Sequence, residues 1–154
     1  MVWGILSVGA AAQTDNRDPH EVREGINRRC MAIQAETPEV FAVDDRTIER
    51  SGRRTPLRLY TPANGDGFPL ILLIHGGAWV AGNLDTHDNL ARYLSKHAEA
   101  VVVSVGYENS PEGKFPGVLE QCYDALLWAV ENAGAIHADA ERLAVAGDLS
   151  LIHI

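Results

Sequence analysis

The chain has 154 residues, a length that suits a single globular domain. Its hydrophobic fraction of 46% and charged fraction of 22% are ordinary for a soluble protein. The net charge of −8 is spread along the chain without a basic stripe, which argues against nucleic acid as a partner. The two cysteines, Cys30 and Cys122, lack CxxC or metal-site spacing, so we expect buried free thiols.

The N-terminal segment is open to two interpretations. Val2 to Ala12 is small and apolar, and its three final alanines are similar to the A-x-A site at which export signals are cleaved. The basic residues that normally precede such a core are missing, and the segment is too short to span a bilayer. Residues 1–18 are predicted to be a signal peptide, with a periplasmic or secreted destination, or else a disordered N-terminus.

The first predicted elements are a helix and two short strands. Apolar residues between Asp15 and Gln34 recur at helical spacing, which predicts an amphipathic helix that starts near Pro19 and is broken at Thr37-Pro38. Strands are predicted over residues 45–49 and 55–60, on either side of a turn at Ser51-Gly52. In the second strand Leu57 and Leu59 alternate with Arg58, as expected for a half-buried strand.

After a turn cluster at residues 62–67, apolar runs alternate with helical stretches. Strands are predicted at Leu70 to Ile74, Val101 to Val105 and Leu143 to Ala146, because continuous apolar runs suit strands covered on both faces. Helices are predicted at Asp85 to His97, with Leu90, Tyr93 and Leu94 on one face, and at Gly117 to Asn132, with Val118, Cys122, Leu126, Trp128 and Ala129 inward. This alternation predicts a βαβ sheet that is parallel in this section.

The sharpest chemical signal follows the first of these apolar runs directly. It is the segment His75-Gly76-Gly77-Ala78-Trp79, here called the glycine loop. Glycines let the backbone approach a substrate, and backbone N–H groups can stabilise the negative charge that develops on a carbonyl oxygen during ester hydrolysis. On these residues alone, the alternative is a Gly-Gly turn after a strand, with His75 as a core histidine.

Three further segments follow the glycine loop in the order in which one enzyme family carries similar segments, and together they indicate a resemblance to that family. The glycine loop resembles the HGGGW signature of the hormone-sensitive-lipase-like esterases, a branch of the α/β hydrolases. Residues 107–116 resemble that family's YRLAPEHPFP segment, with Tyr107, Pro111, Glu112, Phe115 and Pro116 in register. Asp124 and Trp128 match the helix that comes next, and residues 143–148 (LAVAGD) resemble the strand that leads into GDSAGG.

The resemblance implies a fold and a set of roles. The fold is an α/β-hydrolase sheet, mostly parallel with helices on both faces, of which residues 19–148 form the N-terminal part. The amides of Gly77 and Ala78 would form an oxyanion hole, with Gly76 shaping the loop and His75 orienting it by hydrogen bonding. Ala78 departs from the third family glycine, which keeps the amide but adds a Cβ near the substrate. Structural roles are expected for Tyr107, Ser110, Glu112 and Asp124.

The family pattern breaks directly after Asp148, where the family has its nucleophilic serine followed by Ala-Gly-Gly. Here Ser150 is displaced by one position and flanked by leucines. Residues 149–154 resemble one reading frame of a transposon-end sequencing adaptor, so we predict a non-native tail; a protein that truly ends there is the alternative. The nucleophile, acid and base are then expected to be absent from this chain, which would be inactive.

The predicted function of the intact protein is hydrolysis of small to medium acyl esters by a serine–histidine–acid mechanism without a cofactor. No metal is expected, because the remaining histidines lack HExxH spacing. The main alternative is a non-catalytic small-molecule-binding protein of the same fold, as in the plant gibberellin receptors. A peptidase of this fold is less favoured, because the HGG-x-W and Y-x-x-x-P-E pairing favours the esterase branch.

Overall fold

The computed structural model describes residues 18–33 and 37–148. Its elements in chain order are α1 (Pro19–Ala32), β1 (Ala42–Arg50), β2 (Arg53–Thr61), β3 (Phe68–Ile74), α2 (Asp88–Ala98), β4 (Val101–Val105), α3 (Gly117–Glu131), a short 3-10 helix (Ala133–Ile136) and β5 (Ala138–Gly147). The predicted signal peptide, Ser150 and the predicted tail lie outside the described residues. No helix of the described part is long and apolar enough to cross a membrane.

The five strands form one mixed sheet in the order β1-β2-β4-β3-β5. β3 lies between β4 and β5 and pairs parallel with both, which confirms the predicted parallel section. β1 and β2 form an antiparallel hairpin, and β2 also joins β4 antiparallel. In the described sheet, therefore, the parallel strands are β4, β3 and β5.

The hairpin closes through the predicted two-residue turn. Ser51 and Gly52 have φ angles of 53° and 75°, the left-handed conformation that a tight turn between right-twisted strands requires. Leu57 and Leu59 are buried, as their alternation predicts. Both strands are longer than predicted, because the ladder continues to the Arg50–Arg53 pair at the turn and to the Ala42–Thr61 pair at the other end.

Helices cover both faces of the sheet. On one face α3 packs Cys122, Ala125 and Ala129 against a core that includes Leu72 of β3. On the other face α2 places Ala91 in a cluster with Leu73 of β3. Neighbouring residues of β3 enter different cores because side chains alternate along a strand. The predicted covering of both faces is thus confirmed.

Two details of α2 differ from the prediction. The helix begins at Asp88, later than predicted, because reciprocal bonds between Asn83 and Thr86 hold the preceding residues in a turn. Tyr93, predicted to share a face with Leu90 and Leu94, is 53% exposed and lies against His97 instead. The fully buried positions of α2 are Ala91 and Ser95.

The last strand, β5, lies at the edge of the described sheet and pairs there with β3 alone. Its apolar residues Leu143 and Val145 are 37% and 43% exposed. β5 is longer than predicted and begins at Ala138. The described sheet thus ends in a strand that carries exposed apolar side chains.

Helix α1 begins where the sequence predicts, with Asp18 as its cap and Pro19 in its first turn. The Asp18 carboxylate accepts a hydrogen bond from the backbone N–H of His20. None of the side chains of α1 is buried. Polar contacts rather than a hydrophobic face therefore attach this helix to the rest of the described chain.

Candidate active site

The glycine loop leaves the C-terminal end of β3, the middle strand of the parallel section. The segments that follow the neighbouring strands β4 and β5 meet it there. The Tyr107 hydroxyl donates to the carbonyl oxygen of His75 at 2.7 Å, and the amide of Gly76 donates to Asp148 Oδ1 at 2.6 Å. This edge is the usual binding site in parallel α/β sheets.

The backbone of the loop is tightly folded. Gly77 has φ of 134°, and a Cβ there would overlap the carbonyl oxygen of Ala81. The Gly77 carbonyl oxygen accepts the amides of Val80 at 3.1 Å and Ala81 at 2.9 Å. Ala78 follows in the left-handed region with φ of 54°, which costs a residue with a Cβ roughly 1–2 kcal/mol.

The amides of this turn differ in their partners. The amide of Gly76 is occupied by Asp148. Within the described residues, no hydrogen bond is donated by the amides of Gly77 or Ala78. The loop therefore carries two neighbouring backbone donors that a bound oxygen atom can use.

The side chain of His75, the first residue of the glycine loop, is fully buried. Its ring stacks on Tyr107 with 4.0 Å between centroids, and Nδ1 lies 3.0 Å from the carbonyl oxygen of Gly76. Burial lowers the pKa of His75 to about 4, so the ring is neutral near pH 7. Nε2 has no hydrogen-bond partner in the described part of the chain. Because it is buried, it cannot accept a proton from a bound substrate.

Helix α1 contacts the segment that leaves the loop, which the sequence patterns do not indicate. Arg23 Nε donates to the carbonyl oxygen of Val80 at 2.8 Å, and its terminal nitrogen pairs with Glu112 at 2.6 Å. This pairing lowers the pKa of Glu112 to about 2. Asn27 Oδ1 accepts the amide of Gly82 at 2.9 Å. Two side chains of one helix face thus fix the backbone that follows the loop.

A second contact that the sequence does not indicate joins the start of α2 to the end of β5. His87 Nε2 lies 3.1 Å from Asp148 Oδ2, and His87 Nδ1 lies 2.9 Å from the hydroxyl of Thr86. The rings of His75 and His87 are 5.4 Å apart. One carboxylate therefore contacts both the glycine loop and a histidine from a different element.

The residues expected to be structural divide between two places. Tyr107, Ser110 and Glu112 lie around the glycine loop, where Ser110 Oγ donates to the carbonyl oxygen of Gly113 at 3.0 Å. Asp124 lies apart from the loop and joins α3 to the hairpin, because it accepts from Ser51 Oγ at 3.0 Å and from Arg53 at 2.8 Å.

Cys30 and Cys122 are both free, in agreement with the prediction of unbridged thiols, although Cys30 is only half-buried. Burial raises the pKa of Cys122 to about 12. Among residues 18–33 and 37–148, no group of three or more His, Cys, Asp or Glu side chains is placed to hold a metal ion.

A profile of a family described as alpha/beta hydrolase fold matches residues 71–150, which include the glycine loop, Asp148 and the segments between them. The chain belongs to this alpha/beta hydrolase family. The chain is 34% identical to an arylesterase of Saccharolobus solfataricus over 82% of its own length and 41% of that protein. It is also 34% identical to an ethyl acetate hydrolase of Pseudomonas putida, over 92% of its length and 46% of that protein.

Solved structures that are similar to the chain include two esterases. An esterase of Pyrobaculum calidifontis matches 86% of this chain with a TM-score of 0.82 and 37% identity, over 44% of that esterase. The carboxylesterase EstE1 from a metagenomic library matches with a TM-score of 0.80 and 36% identity, over 45% of its chain. The chain thus spans less than half the length of each of these four proteins.

Proposed function

We propose that the glycine loop is the oxyanion hole of a carboxylic ester hydrolase that acts on small to medium acyl esters. The observation that carries the proposal is the pair of adjacent amides at Gly77 and Ala78, which have no partner in the described residues and lie where the parallel strands end. Two relatives, an arylesterase and an ethyl acetate hydrolase, support the substrate class.

In this mechanism a serine attacks the ester carbonyl while a histidine accepts its proton. The intermediate then breaks its bond to the alcohol, which leaves with that proton, and water hydrolyses the remaining acyl-enzyme to the carboxylic acid and free serine. The amides of Gly77 and Ala78 donate to the oxygen as it becomes negative. His75 is unsuited to the role of base, because its unpartnered nitrogen is buried and its pKa is low. We propose that the serine directly follows Asp148 in the natural sequence, and that the acid and base come from the part of the relatives that this chain does not span.

The test compares two proteins. One is the 154-residue chain; the other, here called the complete domain, is the product of the natural locus read past codon 148. We expect the complete domain to hydrolyse p-nitrophenyl acetate and butyrate, and to lose this activity when the serine after Asp148 is replaced. We expect no turnover by the 154-residue chain. Saturable turnover by the short chain that is abolished by Ser150→Ala would contradict the proposal. Tight ester binding without turnover by the complete domain would favour the receptor-like alternative.

The oxyanion hole itself is tested by Gly77→Val in the complete domain. The backbone at Gly77 excludes a side chain, so the variant must twist the amide away from the substrate. We expect kcat to fall about a hundredfold or more with little change in KM, since loss of one donor costs about 3 kcal/mol.

The matched control for this variant is Ala78→Gly, which keeps the amide and removes the cost of a left-handed Cβ. We expect this variant to retain its kcat and to melt no earlier than the parent. Circular dichroism of Gly77→Val checks that it is folded. An unchanged kcat in folded Gly77→Val would place the oxyanion hole elsewhere.

A further inference from the structure

We infer that His87 is a positioning residue that holds the Asp148 carboxylate against the glycine loop. The inference rests on the proposed function, because it assigns His87 an effect on the oxyanion hole. His87 Nε2 contacts Asp148 Oδ2 at 3.1 Å, while the other oxygen, Oδ1, accepts the amide of Gly76 at 2.6 Å. Within the described residues these are the polar partners of the carboxylate.

The histidine is itself well fixed. It directly precedes α2, its side chain is 11% exposed, and its Nδ1 lies 2.9 Å from the Thr86 hydroxyl. Thr86 belongs to the turn that Asn83 closes with reciprocal hydrogen bonds. Because a carboxylate only accepts hydrogen bonds, Nε2 carries the proton in its contact with Asp148. The ring therefore presents one donor in one direction.

Asp148 needs this support more than a core residue would. Its side chain is 36% exposed and it follows β5, the edge strand of the described sheet, so water can compete for its carboxylate oxygens. The carboxylate nevertheless packs closely against the loop, since a Cβ at Gly76 would lie 2.8 Å from Oδ1. A carboxylate that rotates away would release the amide of Gly76, and the two donor amides follow directly in the chain.

The charge of Asp148 gives His87 a second effect. The carboxylate lies next to the loop in which a substrate oxygen would become negative, and like charges repel strongly where water is excluded. A hydrogen bond from the His87 ring to the carboxylate offsets part of this charge. Both effects stabilise the transition state rather than the bound substrate. Their loss should therefore lower kcat and leave KM nearly unchanged.

The test uses three variants of the complete domain. His87→Leu removes the donor, His87→Gln retains an N–H that can reach the carboxylate, and His97→Gln is the control at an exposed histidine of α2. We expect kcat on p-nitrophenyl butyrate to fall about tenfold in His87→Leu with KM within about twofold, because hydrogen bonds to charged groups are among the stronger ones. His87→Gln should recover most of the loss, and His97→Gln should show none.

A second measurement does not depend on activity. Hydrogen exchange at the Gly76 amide, followed by NMR, should be faster in His87→Leu than in the parent and fastest in Asp148→Asn. If the complete domain shows no turnover, the proposed function fails while this exchange still tests the link between His87 and the loop. Unchanged kcat and unchanged Gly76 exchange in folded His87→Leu would overturn the inference. A loss of kcat that His87→Gln fails to restore would indicate a packing role and overturn it as well.

Discussion

Among single side chains, His75 makes the clearest contribution to pH dependence. Its pKa is about 4 in the folded protein, against an ordinary value of 6.5, because the ring is buried. In the unfolded chain His75 therefore binds a proton as the pH falls below 6.5, whereas in the folded chain it binds one only near pH 4. The contribution to stability is complete above pH 6.5, is lost as the pH falls from 6.5 towards 4, and changes no further below that.

We expect the free energy of unfolding of the complete domain to fall by about 2 kcal/mol between pH 7 and pH 5 through this residue alone. Urea unfolding at both pH values measures the change. His75→Asn should lose this component of the slope, whereas replacement of the exposed His97 should leave it intact. Equal slopes in the His75→Asn variant and the parent would show that burial does not hold this ring neutral.

How far the site is predictable from the sequence depends on the range of its contacts. The glycine loop is recognisable because its backbone requirements are local: Gly77 is excluded from carrying a side chain by Ala81, four positions away. Arg23 and His87 act across separations of 57 and 61 residues. No spacing rule connects residues so far apart until the strand order is known.

Between elements, the junction of α3 with the hairpin offers a comparison of two carboxylates. Asp124 is 4% exposed and bonds both Ser51 and Arg53, whereas Glu131 bonds Arg50 at 2.6 Å with its side chain 54% exposed. Both join the same two elements through an arginine. They differ in how easily water can replace the hydrogen bonds that are lost when the carboxylate is removed.

We expect Asp124→Ala to lower the free energy of unfolding of the complete domain by about 2 kcal/mol, because the Ser51 hydroxyl loses its acceptor and the partly buried Arg53 guanidinium is left with its bond to the more exposed Glu120. Glu131→Ala should cost less than about 1 kcal/mol, as is usual for a solvated pair. Chemical denaturation of both variants and the parent decides the point. Similar losses in the two variants would mean that the burial of Asp124 adds nothing.

The strands were predictable to different degrees for a physical reason. β4 is buried at all five positions and four of its five residues are valines, so its apolar run is clear in the sequence and the predicted bounds equal the observed ones. The hairpin ladder extends through Arg50 and Arg53, whose pairing leaves no apolar signal. Helical spacing places Tyr93 on one face with Leu90 and Leu94 but does not fix how deeply each is buried, and the Tyr93 side chain is 53% exposed beside His97.

Across the whole sheet, the side beyond β5 is uncovered in the described residues. An apolar groove of about 390 Å³ opens there between β3, β5 and α3, and its lining includes Leu72, Leu126 and Val145. The groove adjoins the unpaired edge of β5. Unpaired edges with apolar side chains are templates for association between chains.

We therefore expect the 154-residue chain to be largely insoluble or to associate when it is expressed. Val145→Lys places a charge on this edge and should raise the soluble, monomeric fraction, measured by size-exclusion chromatography with light scattering. Val130→Lys is the control, since Val130 is 39% exposed but lies on α3. A soluble monomer of the unaltered chain with a sharp, cooperative melting transition would contradict this expectation.

The two thiols of the chain are unequal in a way that is useful for spectroscopy. Cys122 is buried and its high pKa leaves it protonated, so it should resist maleimides at neutral pH. Cys30 is partly accessible and lies on α1, the helix whose Arg23 and Asn27 contact the segment after the glycine loop. The unaltered sequence thus offers an attachment point for a fluorophore, through which the environment of α1 can be followed in real time while an ester is added.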